Sequence, residues 1–149
     1  MSSFSDTLEI AILNSTLRGV DFSKAAAVYV ALFTADPTDA NITSNECSTT
    51  APGWTNYARK NSVIASEGLA GAWTAPADGA DGAKVCSNVN TLTFSANNGV
   101  ADVVVTHMGL YDAASGGNLL YHNALVAPKT LLTNDELAFG TGSISVSLK

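Results

Sequence analysis

Short runs in which residues alternate with a period of two fill most of the chain after Gly19, and they limit the fold more than any other feature. In residues 144–148 apolar side chains alternate with serines, a pattern typical of an antiparallel strand with one face in solvent. In residues 28–33 both alternating sets are apolar, which predicts a central strand covered on both faces. The chain is therefore predicted to be built mainly from strands.

The strand-like runs are separated by turn signals, and together they predict an all-β fold. We expect an antiparallel, jelly-roll-like β-sandwich of about seven or eight strands with one short N-terminal helix. Helices and strands do not alternate, so a parallel sheet is not expected. A length of 149 residues suits one domain, so we predict a single domain over residues 1–149, with the sandwich starting at about residue 26. The predicted strands are residues 28–33, 57–64, 85–95, 103–111, 119–126, 131–132, 137–139 and 144–148.

The N-terminal helix is predicted over about residues 6–18. Asp6 is predicted to cap it, and Glu9, three residues later, completes a pattern like a capping box. Gly19 stands where a left-handed residue commonly ends a helix. The apolar arc of this helix is broad, so we expect cover on more than one side. Packing on its own domain and packing on a neighbouring subunit both remain open.

Charge excludes several classes of function. Charged residues make up only 13% of the chain, against about 25% in an average protein, so small polar residues must cover the surface. Seven basic and thirteen acidic residues give a net charge of -6, which argues against binding to nucleic acid or to an anionic membrane. No apolar window is long enough to span a membrane. The first residues carry no Lys or Arg, so we expect no secretory signal and synthesis in a cytoplasm.

The two cysteines give little indication of a metal or redox site. Cys47 and Cys86 lie in separate stretches rich in Ser, Thr and Asn, and neither forms a C-x-x-C pair. Free thiols are the simpler interpretation. A disulfide remains open for a protein that ends up outside the cell.

Residues capable of catalysis or metal binding are few. His107 and His122 fall in neighbouring strands of a predicted hairpin, but a metal site needs a third ligand, and Asp112 is the nearest carboxylate in sequence. We expect hydrogen-bonded histidines instead. Residues 78–82 lack the ligand series of a calcium loop. The common nucleophile, phosphate-binding and zinc motifs are absent. We therefore predict no catalytic residue, no metal and no cofactor.

Several segments resemble one family of proteins. They are residues 4–6 (FSD), 17–19 (LRG), 28–38 (VYVALFTADPT), 57–59 (YAR), 105–122 (VTHMGLYDAASGGNLLYH) and 128–130 (PKT). Their order resembles that of a widespread family of small structural proteins of tailed bacteriophages, commonly labelled tail-fibre or minor virion proteins. The resemblance covers most of the chain, although residues 40–56 and 65–88 are longer than the family pattern. It implies a component of the virion that is not an enzyme, and it supplies no catalytic residues.

Within that class we expect a capsid decoration or cement protein that binds the major capsid protein on the outer surface of the head. The chain shows no heptad stalk or shaft repeat of the kind that fibres use, and this favours the head. The alternative is a tail or tail-fibre component involved in host attachment. In either case we expect a homo-oligomer.

The same residues suggest where contacts form. Aromatic residues, including Tyr29 and Trp73, are able to stack on sugars, although core packing explains Tyr29 better. The candidate interface residues are Phe4, Leu8, Ile12, Trp54 and Tyr57.

Overall fold

Antiparallel strands dominate the fold. A computed structural model describes residues 3–50, 54–63 and 68–149. The strands are β1 (Ser3–Phe4), β2 (Tyr29–Phe33), β3 (Lys60–Asn61), β4 (Ala77–Asp78), β5 (Lys84–Ser87), β6 (Leu92–Thr93), β7 (Val103–Tyr111), β8 (Leu119–Leu131), β9 (Ala138–Phe139) and β10 (Ser145–Leu148). The helices are α1 (Asp6–Arg18), α2 (Cys47–Thr50) and α3 (Gly68–Ala72), and 3-10 turns lie at Thr43–Asn45 and Ala80–Gly82.

The strands form three sheets. The largest has the order β1-β8-β7-β2-β3, a second has the order β10-β5-β4, and β6 pairs with β9. Every one of these pairings is antiparallel. The predicted all-β, sandwich-like fold is confirmed. The described residues form ten strands, more than the seven or eight predicted. The run 85–95 divides into β5 and β6, and the two-residue strands β1 and β4 carry too few residues to show a period. The predicted strand 131–132 does not form separately, because Leu131 is the last residue of β8.

Strand β2 lies inside the large sheet, between β7 and β3. Its Val30 and Leu32 belong to the main hydrophobic core, while Ala31 and Phe33 pack on the opposite face with Tyr111 and Leu119. All four of these β2 side chains are fully buried. The prediction of a strand covered on both faces is therefore confirmed.

The main core joins residues of the large sheet to residues of the smaller sheets. Phe94 lies at its centre, 6.0 Å from the Tyr57 ring and 6.3 Å from the Phe139 ring between centroids. Trp54 packs edge-on against Tyr57 at 5.2 Å. Fully burying a side chain the size of Phe94 stabilises a fold by roughly 1.5–3 kcal/mol. The buried members are Val30, Leu32, Cys47, Trp54, Leu92, Phe94, Val103, Val105, Leu110, Leu131, Leu137 and Ile144.

Helix α1 has the predicted bounds but a different cap. Ser5 has an extended backbone (φ -82°, ψ 157°), and its Oγ accepts the Leu8 N–H at 3.2 Å. The prediction that Asp6 caps the helix is wrong, because Asp6 is already the first helical residue. Gly19 ends the helix in the left-handed region, with φ 68°, as predicted.

Two further predicted strands differ from the observed ones by more than one residue. Only Lys60–Asn61 of the run 57–64 forms a strand, because the Asn61 Oδ1 accepts the Val63 N–H at 2.9 Å and turns the chain; Ile64 lies outside the described residues. Strand β8 is longer than predicted and includes Leu131, because its far end pairs with β7 beyond a bulge near Val105.

Candidate functional site

The two histidines lie on adjacent strands, two residue pairs apart in register, and have different partners. His107 pairs in register with Ala124, whereas His122 lies opposite Gly109. The His107 Nδ1 lies 2.8 Å from the Thr106 hydroxyl. The candidate third ligand, Asp112, instead accepts hydrogen bonds from Asn118 in the hairpin turn. Within the described ranges, no group of three His, Cys, Asp or Glu side chains could hold a metal ion.

His122 connects strand β8 to the loop that follows β2. Its ring is buried, with Nε2 2.8 Å from the Asp39 Oδ1 and Nδ1 3.1 Å from the Asp36 Oδ1. The Asp39 carbonyl in turn accepts the Asp6 N–H at the start of α1, at 3.1 Å. This cluster holds the helix, the loop and β8 together, which is a structural role.

A buried ion pair lies at the centre of a polar cluster. The Arg59 Nε and Nη2 donate to the two Glu46 carboxylate oxygens at 2.9 and 2.7 Å, so the pair is bidentate. The Tyr57 hydroxyl donates to the Glu46 Oε1 at 3.1 Å and accepts the Leu32 N–H at 2.9 Å. The Arg59 guanidinium carbon lies 3.5 Å from the centroid of the Tyr111 ring. We call these four side chains, Glu46, Tyr57, Arg59 and Tyr111, the ionic network.

The members of the network donate to and accept from one another and from nearby backbone groups, which suits the network to holding structure. Burial, and then the charge of Glu46, raise the pKa of Tyr57 well above its ordinary value. Burial alone would lower the pKa of Arg59, but the hydrogen bonds and charge of Glu46 outweigh it and raise that pKa. Among the described buried side chains, no polar atom is left without a hydrogen-bond partner. The Arg59 Nη1 also donates to the carbonyls of Ala113 and Gly116, at 3.2 and 2.7 Å, and so ties down the β7–β8 turn.

An apolar groove opens beside the main core. Its volume is about 730 Å³, and its walls come from α3, β5, β7, β8 and β10 and from the residues before β2. Lys24 and Lys84 are its two charged residues. The remaining residues that line it are Val28, Leu69, Ala70, Trp73, Thr74, Ala75, Pro76, Cys86, Leu110, Tyr121, Val146 and Leu148. We call it the apolar groove.

A second apolar surface lies on helix α1. The side chains of Ile10, Leu13 and Leu17 are 60%, 56% and 78% exposed. Spacings of three and four residues put them on one stripe of the helix. We call this stripe the helix face. The opposite side of α1 packs on the protein through Leu8, which is buried.

The predicted interface residues lie mostly inside the chain's own packing. Leu8 and Trp54 are buried, and Ile12 and Tyr57 are half-buried. Phe4 is half-buried, with its ring centroid 5.6 Å from that of Tyr121. An intermolecular role for these five stays a prediction. The broad apolar arc of α1 indicated the helix face, but nothing in the sequence indicated the groove, whose lining comes from separate segments.

The cysteines and aromatic residues also have definite places. Cys47 and Cys86 are free thiols, the first buried and the second half-buried in the groove wall. Trp73 also lines the groove, and its Nε1 donates to the Ser62 hydroxyl at 3.2 Å. Tyr29 packs against the smaller buried cluster of Ala31, Phe33, Tyr111 and Leu119.

No helix within the described part of the chain has the length and hydropathy that crossing a membrane requires.

The chain matches a family of phage proteins over nearly its whole length. The profile of the family described as Gp80, podophage GP4 fiber I protein gp80, matches residues 3–147. This match includes every strand named above except the final residue of β10. No curated protein matches the chain.

Proposed function

Because the chain belongs to the podophage GP4 fiber I protein gp80 family, a family of structural proteins of tailed phages, we propose that it is a component of the tail fibre and takes part in host attachment. The observation that carries this proposal is the family match over residues 3–147. Virion structural proteins act by binding to one another. We therefore propose that the chain functions through its surfaces and carries out no catalysis.

The decoration role expected from the sequence has no specific support. That expectation rested on the lack of a heptad stalk or shaft repeat in the chain. The lack of a shaft does not distinguish head from tail when the shaft of a fibre belongs to another protein. The family description names a fibre protein, so the tail-fibre alternative is the better supported of the two.

The internal packing supports an assembly role. The ionic network fixes the loop around Glu46 against the β7–β8 turn through Arg59. The His122 cluster fixes α1 and its adjoining loop against β8. A surface that is already ordered loses less conformational entropy when a partner binds. The apolar groove and the helix face are the two surfaces on this frame that we propose for contacts with other virion proteins.

Copy number and location in purified virions test the proposal. We expect few copies of the chain for each particle on a stained gel, and gold-labelled antibody at the tail in electron micrographs. Particles that lack the chain should adsorb poorly to host cells and should regain adsorption when it is supplied from a plasmid. A copy number comparable to that of the major capsid protein, with label over the head, would overturn the proposal and favour decoration.

A further inference from the structure

We propose that the apolar groove of one copy of this chain binds the helix face of a second copy. This inference deepens the proposed function and rests on it for the assumption that these surfaces serve assembly. It commits to one contact, in which α1 of each copy enters the groove of the next.

The groove has the character of a binding site for an apolar partner. Its volume of about 730 Å³ lies within the range of about 300–1,000 Å³ that is typical of well-formed pockets. Apart from the two lysines, the lining side chains are aliphatic, aromatic or small. Leu148, on its edge strand, remains 39% exposed. Apolar area of this kind gains free energy when a partner removes it from water.

The helix face has the spacing that such a groove accepts. Ile10, Leu13 and Leu17 stand at positions i, i+3 and i+7, the pattern by which an amphipathic helix places its anchor residues in an apolar groove. All three are more than half exposed, although the same helix buries Leu8. The described part of the chain therefore leaves this face exposed, and its spacing is that of a helix that binds in an apolar groove.

Charge favours the same pairing. The first turn of α1 carries Asp6 and Glu9, whereas the groove carries Lys24 and Lys84. The groove thus holds two of only seven basic residues in a chain with thirteen acidic ones. Lys84 also pairs with the exposed Asp78, but Lys24 has no carboxylate partner among the ion pairs of the described residues. Complementary charges at the rim fix the orientation and the rate of association more than the affinity.

The two surfaces do not overlap, so one copy is able to use both at once. No residue of Asp6–Arg18 lines the groove. A contact between two different patches is heterologous, and it produces a closed ring or an open chain of copies. Pairing of two helix faces about a two-fold axis would instead use one patch twice. The groove-to-helix contact and the pairing of two helix faces therefore predict different results when a groove variant is mixed with a helix variant.

The experiment measures the mass of the purified full chain by light scattering over a range of concentrations. Leu13→Asp alters the helix face, and Ala75→Glu places an acid in the groove at an exposed position. Each should weaken association by about a hundredfold or more, because the apolar contact would have to remove the new carboxylate from water. Val126→Asp is the matched control, since Val126 is fully exposed and lies outside both surfaces. Circular dichroism verifies that all variants fold.

Mixing the two variants gives the decisive result. Leu13→Asp retains an intact groove and Ala75→Glu retains an intact helix face, so the mixture should form a one-to-one dimer and stop there. A wild type that stays monomeric at every concentration overturns the inference. The inference is also overturned if Ala75→Glu associates like the wild type while Leu13→Asp does not, because that outcome indicates pairing of two helix faces.

Alkylation of Cys86 supplies an independent measurement. Cys86 lies in the groove wall, whereas Cys47 is buried in the core and serves as an internal reference. Iodoacetamide should modify Cys86 several-fold more slowly in the associated wild type than in monomeric Leu13→Asp. Equal rates would overturn the inference. Both experiments use the purified chain, so their failure leaves the location of the chain in the virion, tested separately above, unaffected.

Discussion

Arg59 connects three parts of the fold through one buried side chain. It forms the bidentate pair with Glu46, lies against the Tyr111 ring, and donates to the Gly116 carbonyl. Both charged side chains are almost fully buried, with exposed fractions of 4% and 6%. A buried pair of this kind adds little net stability compared with apolar residues, but removal of one partner leaves an uncompensated charge. Arg59 therefore acts chiefly by fixing where the loops lie.

Replacement of Arg59 should be strongly destabilising. We expect Arg59→Met to lower the free energy of unfolding by roughly 3–5 kcal/mol, because the Glu46 carboxylate stays buried without its cation. Urea unfolding measures this loss. Arg18→Met is the matched control, since Arg18 is exposed and its Nη1 donates to the Asn14 Oδ1 at 2.8 Å, and it should change stability by less than about 0.5 kcal/mol.

A double variant tests the physical cause. Glu46→Gln together with Arg59→Met should lose less stability than the sum of the two single changes, because neither charge then remains buried alone. Simple additivity of the three unfolding free energies would show that the ion pair does not couple these residues.

At the scale of elements, the long ladder of β7 and β8 organises the fold. Strand β7 pairs with β8 on one side and with β2 on the other. The shorter sheets depend on side chains as well as on ladders. The Asn88 amide donates to the carbonyls of Asn90 and Gly140, both at 2.8 Å, and its Oδ1 accepts the Ile144 N–H. The buried Asn88 amide thus joins the segment that follows β5 to the loop between β9 and β10.

Gly109 in β7 is placed where a side chain does not fit. A Cβ at this position would lie 2.8 Å from Leu119 Cδ1 and 3.0 Å from Phe33 Cε2, two fully buried side chains. We expect Gly109→Ala to cost about 1–3 kcal/mol through overpacking, and to lower the melting temperature by several degrees. Gly140→Ala is the control, because its nearest neighbour, the Ser143 Oγ, lies 3.5 Å away. Equal melting temperatures for the two variants would contradict the packing of β7 against β2.

At the scale of the whole molecule, the stability should fall at alkaline pH. Burial, and then the charge of Glu46, raise the pKa of the Cys47 thiol from 9.0 to about 12. Burial also raises the pKa of Tyr111 from 10.0 to about 12, although Arg59 opposes the shift. Between the unfolded and folded values the native state binds more protons than the unfolded state. The stability present below about pH 9 is therefore lost progressively as the pH rises toward 12.

Chemical unfolding at a series of pH values measures this loss. Each such group contributes a slope of at most about 1.4 kcal/mol for each pH unit within its window. Cys47→Ala should therefore show a shallower decline above pH 9 than the wild type. An unchanged slope would mean that the Cys47 thiol is not buried as described.

Local pattern alone determined much of the architecture. The alternation in residues 28–33 and 103–111 identified β2 and β7 nearly residue by residue, because side chains of a strand alternate between faces wherever the strand lies in a sheet. The capping position moved by one residue, from Asp6 to Ser5, because the pattern does not specify the backbone angles that place a cap. Sequence similarity supplied the phage family, which no physical pattern in the residues specifies.

Only the tertiary structure decided which surfaces remain open. Glu46 pairs with Arg59, and Trp73, Val146 and Leu148 together form part of the groove wall. Both arrangements depend on contacts between residues far apart in the chain. Periodicity reports which face of an element is apolar, but not whether another element covers that face. For this reason Trp54 turned out to be buried in the core, whereas Leu17, an apolar residue of the predicted helix, remains on the surface.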